Sequence, residues 1–233
     1  MNGNKCTYFL IFLLLIFSCM QGNGQFSRGN ITLGWDAGFS IPSGQISNGA
    51  FPLGYAGNGH AAQLTIQYGL FDTWDIRAVV GLSQQSFDFN EAAHSVFSRY
   101  PLAVSTDMTA SPYRMLSFIA GPAKHISLSQ KFSLSVSPAA GMAILQTPDI
   151  VMNIITQPLT VITLGSGRSQ SFIYQMSFST IYHWNRTVDF KLFAQYSSAS
   201  FHPTVVNEET SLSFRQFVFG AGLGVHLVHS HKD

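Results

Sequence analysis

Three histidines near the C-terminus have a spacing that could support metal chemistry. His226, His229 and His231 lie three and two positions apart, and imidazoles this close in sequence can share a metal ion. Ligands on a chain end have no scaffold to fix their geometry, so a solvated terminus is the favoured interpretation. The sequence therefore predicts no metal site and no cofactor.

Four charged residues lie in segments that otherwise alternate apolar with small or polar residues. Asp36, Arg77, Asp189 and Lys191 each fall on the polar side of that alternation, so strands would turn all four toward one face of a sheet. Within a narrow closed barrel they are predicted to form a lumen charge cluster near one end. Such a cluster blocks flow more readily than it conducts, because side chains can fill the interior of an eight-stranded barrel.

A serine-rich stretch late in the chain suggests nucleophilic chemistry. Gln195-Tyr196-Ser197-Ser198-Ala199 resembles the His-x-Ser-Asn-Ala stretch of lipid A deacylases. Gln195 stands where that family has its histidine, and an amide cannot accept the proton of a serine hydroxyl. His202 and Glu208 follow, but their spacing does not indicate a triad. The sequence thus predicts no catalytic residues, and a lipid-modifying enzyme remains an alternative.

The N-terminus has the features of a cleaved Sec signal peptide. Lys5 supplies the positive charge, the apolar run Tyr8–Phe17 is too short to span a bilayer, and Gly22-Asn23-Gly24 fits a cleavage site. Residues 1–24 are predicted to be removed, which leaves residues 25–233 as one domain. In the alternative reading, Ile16-Phe17-Ser18-Cys19 is a lipobox whose cysteine is lipidated.

Composition restricts the class of domain. Charged residues make up 10% of the chain, whereas a soluble domain averages about 25%. Without Lys5, basic and acidic residues are equal in number, so there is no electrostatic basis for binding nucleic acid. Cys6 and Cys19 are the only cysteines, and a chain that begins at residue 25 therefore contains no disulfide and no thiolate metal site.

Eight segments alternate with the period of a β-strand. In the first, the odd positions from Ile31 to Phe39 are apolar and the even positions from Thr32 to Ser40 are polar or small. No apolar run of about 20 residues follows the signal peptide, so a closed barrel is the remaining way to span a membrane. The predicted fold class is all-β, an antiparallel up-and-down transmembrane β-barrel. Its strands are predicted at 31–40, 62–70, 76–83, 113–124, 132–144, 171–182, 188–196 and 217–227.

Two of these segments carry an additional expectation. In the fourth, apolar residues occupy both phases, and we place the even positions, Leu116, Phe118 and Ala120, on the outside. In the fifth, Pro138 falls on the outward face, and because proline cannot donate to the ladder, a bulge or a locally broken pairing is expected there.

The connections between segments alternate in length, as in outer-membrane barrels with short periplasmic turns and long extracellular loops. With an even number of strands, both termini are predicted to be periplasmic. In the third long connection, 150–155 and 159–164 look strand-like around Gln157-Pro158. They are interpreted as a hairpin that extends above the membrane or folds over the mouth of the barrel, with a ten-stranded barrel as the alternative. The long connections are 41–60, 84–112, 146–169 and 197–210, and the short ones are 72–75, 125–131 and 183–187.

Four aromatic residues lie next to the predicted short turns. Tyr68, Trp74, Tyr182 and Trp184 are predicted to form a periplasmic aromatic girdle, since tyrosine and tryptophan favour the membrane–water interface.

Strand and turn pieces such as Tyr68-Gly69-Leu70-Phe71-Asp72-Thr73-Trp74-Asp75-Ile76 and Phe118-Ile119-Ala120-Gly121-Pro122 resemble those of small outer-membrane barrels of the OmpA/OmpX and opacity-protein kind. The resemblance covers the chain beyond the signal peptide. It implies contact with outer-membrane lipids and lipopolysaccharide and folding by the barrel assembly machinery. Such barrels usually end on an aromatic residue, whereas this chain continues through His229-Ser230-His231-Lys232-Asp233.

The long loops are the predicted functional part, because a rigid barrel leaves recognition to its connecting segments. The leading hypothesis is a non-enzymatic surface recognition, adhesion or envelope accessory protein whose loops contact a surface or envelope partner. A narrow passive pore is the first alternative function, and a soluble secreted barrel or sandwich is the alternative structure. The candidate loop contacts are Phe51, Tyr55, Phe97, Arg99 and Tyr100.

Overall fold

The computed structural model describes residues 29–46, 54–99, 105–155, 160–205, 208–209 and 211–227. The predicted signal peptide, Cys19, Phe51, Tyr100, His229 and His231 lie outside these ranges. The described residues form thirteen strands and one α-helix. The elements are β1 Ile31–Ser43, β2 Ala56–Phe71, β3 Trp74–Phe87, α1 Phe89–Arg99, β4 Ser105–Ala110, β5 Tyr113–Ser127, β6 Phe132–Gln146, β7 Ile150–Ile155, β8 Thr160–Leu164, β9 Arg168–His183, β10 Val188–Phe201, β11 Thr204–Val205, β12 Glu208–Glu209 and β13 Leu212–Leu227.

Eight of the strands form one closed antiparallel barrel in the order β1-β13-β10-β9-β6-β5-β3-β2. Each wall strand pairs with the wall strands that precede and follow it in the chain, and β1 closes the barrel by pairing with β13 from Ile31↔Leu227 to Ser43↔Arg215. The predicted eight-stranded up-and-down barrel is confirmed. The ten-stranded alternative is wrong, because β4, β7 and β8 form a separate three-stranded sheet with β7 in the middle.

Many large apolar side chains of the wall strands point away from the lumen. Leu64 on β2 and Leu192 on β10 are 61% and 66% exposed, and the polar neighbours of Leu64, Gln63 and Thr65, are buried inside. In β5, Phe118 is exposed and Met115 and Ile119 are buried, so the even positions point outward as predicted. An apolar outer face around a closed barrel is the arrangement that a lipid bilayer requires.

Two prolines explain an interruption in the pairing of β5 with β6. The register runs from Arg114↔Gln146 to Ala120↔Ala140 and resumes at Lys124↔Val136 without a shift. That constant register places Pro122 opposite Pro138, and neither can donate a backbone hydrogen bond. The predicted break in pairing is confirmed, and it occurs without a bulge.

One end of the barrel carries the short connections and is called the short-turn end below. Its three turns lie at residues 72–73, 128–131 and 184–187. In the third, the Asn185 side-chain oxygen accepts hydrogen bonds from the backbone amides of Thr187 and Val188, each at 2.8 Å. Such local capping by asparagine stabilises a tight reversal of the chain.

The opposite end, called the long-loop end, is built from ordered loop structure. The hairpin β7–β8 pairs through β7 with β4, which belongs to the preceding loop. The predicted hairpin is confirmed, whereas α1 and β4 were not predicted. Wall strands also extend further than the alternation indicates, with β3 reaching Phe87 and β10 reaching Phe201.

A hydrophobic cluster fills the long-loop end. Ala92 and Val96 of α1, Ile150 and Met152 of β7, and Phe214 of β13 are all fully or almost fully buried in it. The loops therefore pack over the end of the barrel. Within the described ranges, no α-helix is both long enough and apolar enough to cross a membrane.

Candidate functional site

Asp36 lies at the centre of a buried charge network inside the barrel. Its Oδ2 atom is 2.6 Å from Lys191 Nζ and 3.8 Å from Arg77 Nη2, and Gln63 Nε2 donates a hydrogen bond to the same oxygen at 3.1 Å. Three of the four residues of the predicted lumen charge cluster are therefore brought together. Two cations around one carboxylate satisfy the requirement that a buried charge be paired.

Gly222 makes this network possible because it leaves room across β13. The register pairs Gly222 with Asp36 on one side and with Lys191 on the other. A Cβ atom built on Gly222 would collide with Asp36 Oδ1 and lie 2.7 Å from the backbone oxygen of Trp35. The lysine therefore reaches the aspartate over a strand that has no side chain at that position.

The fourth predicted member, Asp189, belongs to a different group of residues, which corrects the single-cluster prediction. Its Oδ1 atom is 2.8 Å from His183 Nδ1, and its Oδ2 atom is 2.6 Å from His226 Nε2. We call these three residues the His–Asp–His cluster. Asp189 lies two residues before Lys191 on β10 and on the same face of the strand. The lysine ammonium nevertheless contacts Asp36.

Hydroxyl groups flank the His–Asp–His cluster on both sides. Ser133 Oγ is 3.0 Å from His183 Nε2, and Thr32 Oγ1 is 2.9 Å from His226 Nδ1. The resulting hydrogen-bonded chain crosses five neighbouring strands of the barrel, in the order β1, β13, β10, β9 and β6. It lies at the short-turn end, where β9 ends and β10 begins.

Ser133, His183 and Asp189 also have the contacts of a serine, histidine and carboxylate triad. The Ser133 residue is 0% exposed, so no substrate carbonyl could approach its hydroxyl in this arrangement. In this arrangement the Ser133 hydroxyl is a buried hydrogen-bond partner of His183.

A second histidine–carboxylate contact lies at the same end on the other side of the barrel. His125 Nε2 on β5 is 2.8 Å from Asp75 Oδ2 on β3. The neighbouring Lys124 donates a hydrogen bond to Thr73 Oγ1 at 2.7 Å, and its ammonium lies 4.9 Å from the centre of the Trp74 ring.

Further along the lumen, toward the long-loop end, amides and a hydroxyl replace the charges. Ser40 Oγ donates to Gln216 Oε1 at 3.0 Å, and Gln85 Nε2 lies 3.2 Å from that hydroxyl and 3.1 Å from the Gln216 oxygen. A cavity of about 20 Å³ lined in part by Gln63, Ser117 and Gln216 adjoins this layer. It has room for about one water molecule.

The residues considered for lipid A chemistry do not form a catalytic group in the described structure. Gln195 Nε2 donates a hydrogen bond to Ser197 Oγ at 3.3 Å, and both side chains face the lumen. His202 is exposed and donates its backbone amide to Ser169 Oγ. An amide therefore occupies the position next to the serine where a base would be needed.

The predicted loop contacts are placed differently by the structure. Phe97 on α1 is 41% exposed, whereas Tyr55 is 1% exposed and packs edge-on against Phe87 with ring centres 5.7 Å apart. Tyr55 is thus part of the hydrophobic cluster and is not a surface contact, because it precedes β2 at the point where the loop folds inward. Arg99 is the last residue of α1, and Phe51 and Tyr100 lie outside the described residues.

The four predicted girdle residues all lie at the short-turn end. Tyr68 and Trp184 are exposed, and Trp74 and Tyr182 are half-buried. Tyr182 packs against Phe132 with ring centres 5.0 Å apart, and Trp184 against Phe190 at 5.2 Å. Their position fits an interfacial girdle.

Sequence reasoning did not identify the partners of the charged residues in the lumen. Strand alternation placed Asp189 and His226 inward, but their contact depends on β10 and β13 being neighbours in the barrel. The signal that could have indicated the cluster is that the end of β9, the start of β10 and the end of β13 all lie at the short-turn end, where they hold His183, Asp189 and His226.

A closed wall, an apolar exterior and a filled polar lumen define the class of protein as a small transmembrane β-barrel of the outer-membrane type. No protein-family model matches the chain, and neither does any curated protein sequence.

Several solved structures are similar in fold. Ail, the attachment invasion locus protein of Yersinia pestis, is 13% identical with a TM-score of 0.48, and the match covers 85% of this chain and 99% of Ail. The outer membrane protein OprG of Pseudomonas aeruginosa is 12% identical with a TM-score of 0.45, covering 90% of this chain and 100% of OprG. The outer membrane protease OmpT of Escherichia coli is 9% identical with a TM-score of 0.38, covering 87% and 98%. At these identities the likeness concerns the fold.

Proposed function

We propose that this protein is a non-enzymatic barrel of the bacterial outer membrane that serves in surface recognition, adhesion or an accessory role in the envelope through its long loops. The observation that carries the proposal is the hydrophobic cluster at the long-loop end. Residues of α1 and β7 are buried in it, so the loops are held as a defined surface instead of lining an open mouth. In this proposal both termini are periplasmic and the long loops are extracellular.

The exposed part of this surface offers apolar contacts to a partner. Phe89 and Phe97 on α1 are 45% and 41% exposed, and Val161 on β8 is 54% exposed. Aromatic side chains contribute strongly to binding at protein interfaces. We expect a surface or envelope partner to contact α1 and β8.

The filled lumen supports this proposal over a passive pore. The charge network around Asp36 and the amide layer around Gln85 occupy the interior. Purified protein in planar bilayers is expected to give no stable conductance steps. Reproducible steps whose size changes in Lys191→Ala would contradict the proposal.

Accessibility on intact cells tests the orientation. An epitope inserted in the connection between β7 and β8 is expected to bind antibody on unbroken cells. The same epitope inserted at residues 184–187 is the matched control and should bind antibody only after the outer membrane is opened. The reverse pattern would show that the loops are periplasmic.

A binding assay tests the recognition role. Cells that express the protein are expected to adhere to wells coated with lipopolysaccharide or with host matrix protein more than cells without it. The double variant Phe89→Ser, Phe97→Ser is expected to lose this adhesion while keeping its heat-modifiable migration. Equal adhesion by all three cell types on both coatings would contradict recognition by α1. Altered lipid A on overexpression would instead favour the lipid-modifying alternative.

A further inference from the structure

The His–Asp–His cluster has the donor set of a transition-metal site. His183, Asp189 and His226 each offer one ligand atom, and these atoms all lie within 4.8 Å of one another. Two imidazoles and a carboxylate are a common set of protein ligands for zinc. We propose that this cluster binds a divalent transition metal, with Zn²⁺ as the ion that fits its ligands best.

The orientation of the two imidazoles supports a shared ion. His183 presents Nδ1 and His226 presents Nε2 to the two oxygens of one carboxylate, at 2.8 and 2.6 Å. With bonds of about 2.0–2.1 Å in a tetrahedral site, neighbouring ligand atoms lie about 3.3 Å apart. The two nitrogen–oxygen distances would lengthen by about 0.5 and 0.7 Å to reach that separation.

The outer contacts of both histidines are those expected around a metal ligand. A ligating imidazole is normally held by a hydrogen bond from its other ring nitrogen, which fixes the ring and its tautomer. Ser133 Oγ has this position beside His183 Nε2, and Thr32 Oγ1 has it beside His226 Nδ1. The lone pairs of Nδ1 in His183 and Nε2 in His226 are then directed at the ion.

Charge gives a second reason for a cation. Asp189 is 5% exposed, and the side chains that contact its carboxylate within the described structure are two imidazoles. With both imidazoles neutral, the cluster carries one negative charge away from water, and buried charges are normally paired or bound to metals. A divalent ion supplies that positive charge.

The cluster is accessible from one side. His226 has a side-chain exposure of 15%, which is the largest of the three residues. Three protein ligands also leave a fourth position for water in a tetrahedral site. The ion would join the ends of β9, β10 and β13.

Metal content of the folded protein is the direct test. The full chain, produced without a polyhistidine tag and extracted in detergent, is treated with EDTA and then dialysed against Zn²⁺. One zinc per chain is expected by elemental analysis. X-ray absorption at the zinc edge is expected to show two imidazoles and oxygen at about 2.0–2.2 Å, and this measurement needs no variant.

Variants locate the site. Asp189→Asn and His226→Gln are expected to weaken binding at least tenfold, and Ser133→Ala or Thr32→Ala to weaken it by about 10- to 100-fold through loss of the outer contact. His125→Gln is the matched control, because His125 contacts Asp75 at the same distance of 2.8 Å as His183 contacts Asp189. The double variant His229→Gln, His231→Gln controls for binding by the terminal histidines, and both controls are expected to keep full affinity.

Heat-modifiable migration on unboiled gels identifies variants that retain the barrel. The proposal is overturned if folded wild-type protein binds neither Zn²⁺ nor Co²⁺ at one ion per chain. It is also overturned if zinc is lost in the His229→Gln, His231→Gln variant and kept in His226→Gln, or if the absorption spectrum shows fewer than two imidazoles.

Discussion

At the scale of single residues, the lumen depends on where side chains are absent as well as where they are present. Gly222 separates Asp36 from Lys191 in the register, and the two side chains meet above it. Gly224 is also on β13, but a Cβ built there would lie 3.5 Å from Thr32 and 3.6 Å from Asp189, which is ordinary van der Waals contact. The structure therefore has no room for a side chain at position 222, whereas a methyl group fits at position 224.

This difference gives a paired prediction. Gly222→Ala is expected to lower the free energy of unfolding by about 1–3 kcal/mol, because the added methyl group overpacks the site and displaces Asp36. Gly224→Ala, the matched control, is expected to change it by less than about 0.5 kcal/mol. Denaturant unfolding in lipid vesicles measures both, and equal effects would contradict the role given to Gly222.

The same residues show how far sequence reasoning reaches. Alternation alone predicts that Asp36, Arg77, Asp189 and Lys191 point inward, because side chains change face at each strand residue. It does not predict that Asp36 pairs with Lys191 and Asp189 with His226. The partners are 155 residues apart in the first pair and 37 residues apart in the second. Their contacts depend on the circular order and the stagger of the strands.

At the scale of elements, α1 is one of the loop elements that pack over the long-loop end of the barrel. Asp88 Oδ1 accepts hydrogen bonds from the backbone amides of Asn90 and Glu91, each at 3.1 Å, as an N-cap residue does. An aspartate followed three positions later by a glutamate is a helix-start signal that could have predicted α1. The pairing of β4 with β7 has no comparable local signal, because the two strands come from different loops.

Val96 tests whether α1 is held by the cluster. Val96 is 0% exposed, and Val96→Asp would bury an unpaired carboxylate at a cost of about 3–5 kcal/mol. We expect α1 to detach and endoproteinase Glu-C to cleave after Glu91 about ten times faster or more. Phe97→Asp changes the adjacent exposed residue and is expected to leave the cleavage rate unchanged. Slow cleavage in both variants would show that α1 does not depend on the cluster.

At the scale of the whole molecule, the outer surface changes character along the barrel axis. Leu64 on β2 pairs with Trp35 and Val80 in an apolar row. Nearer the long-loop end, outward polar residues occupy neighbouring strands, since Gln84 pairs with Arg114 and the next strands pair Gln146 with Arg168. The polar row fits the edge of the hydrocarbon layer, where charged groups reach water.

Arginine substitutions measure this depth profile. Leu64→Arg is expected to destabilise the barrel in phospholipid vesicles by about 2–4 kcal/mol, and Gln84→Arg by about 0–1 kcal/mol. Both positions are exposed and outward, so the comparison isolates depth. Similar costs in vesicles, or a small cost for Leu64→Arg, would contradict a bilayer around the apolar row.

The contact between Thr32 and His226 sets an order of events for the whole chain. Thr32 is at the beginning of the first wall strand and His226 near the end of the last, 194 residues later. His183 and Asp189 can meet as soon as one hairpin has formed, since they are six residues apart. His226 can join them only when the final strand is in place. During refolding, the nuclear magnetic resonance signal of the His183 imidazole in its folded environment would therefore appear before that of His226. The appearance of the His226 signal would report the closure of the barrel.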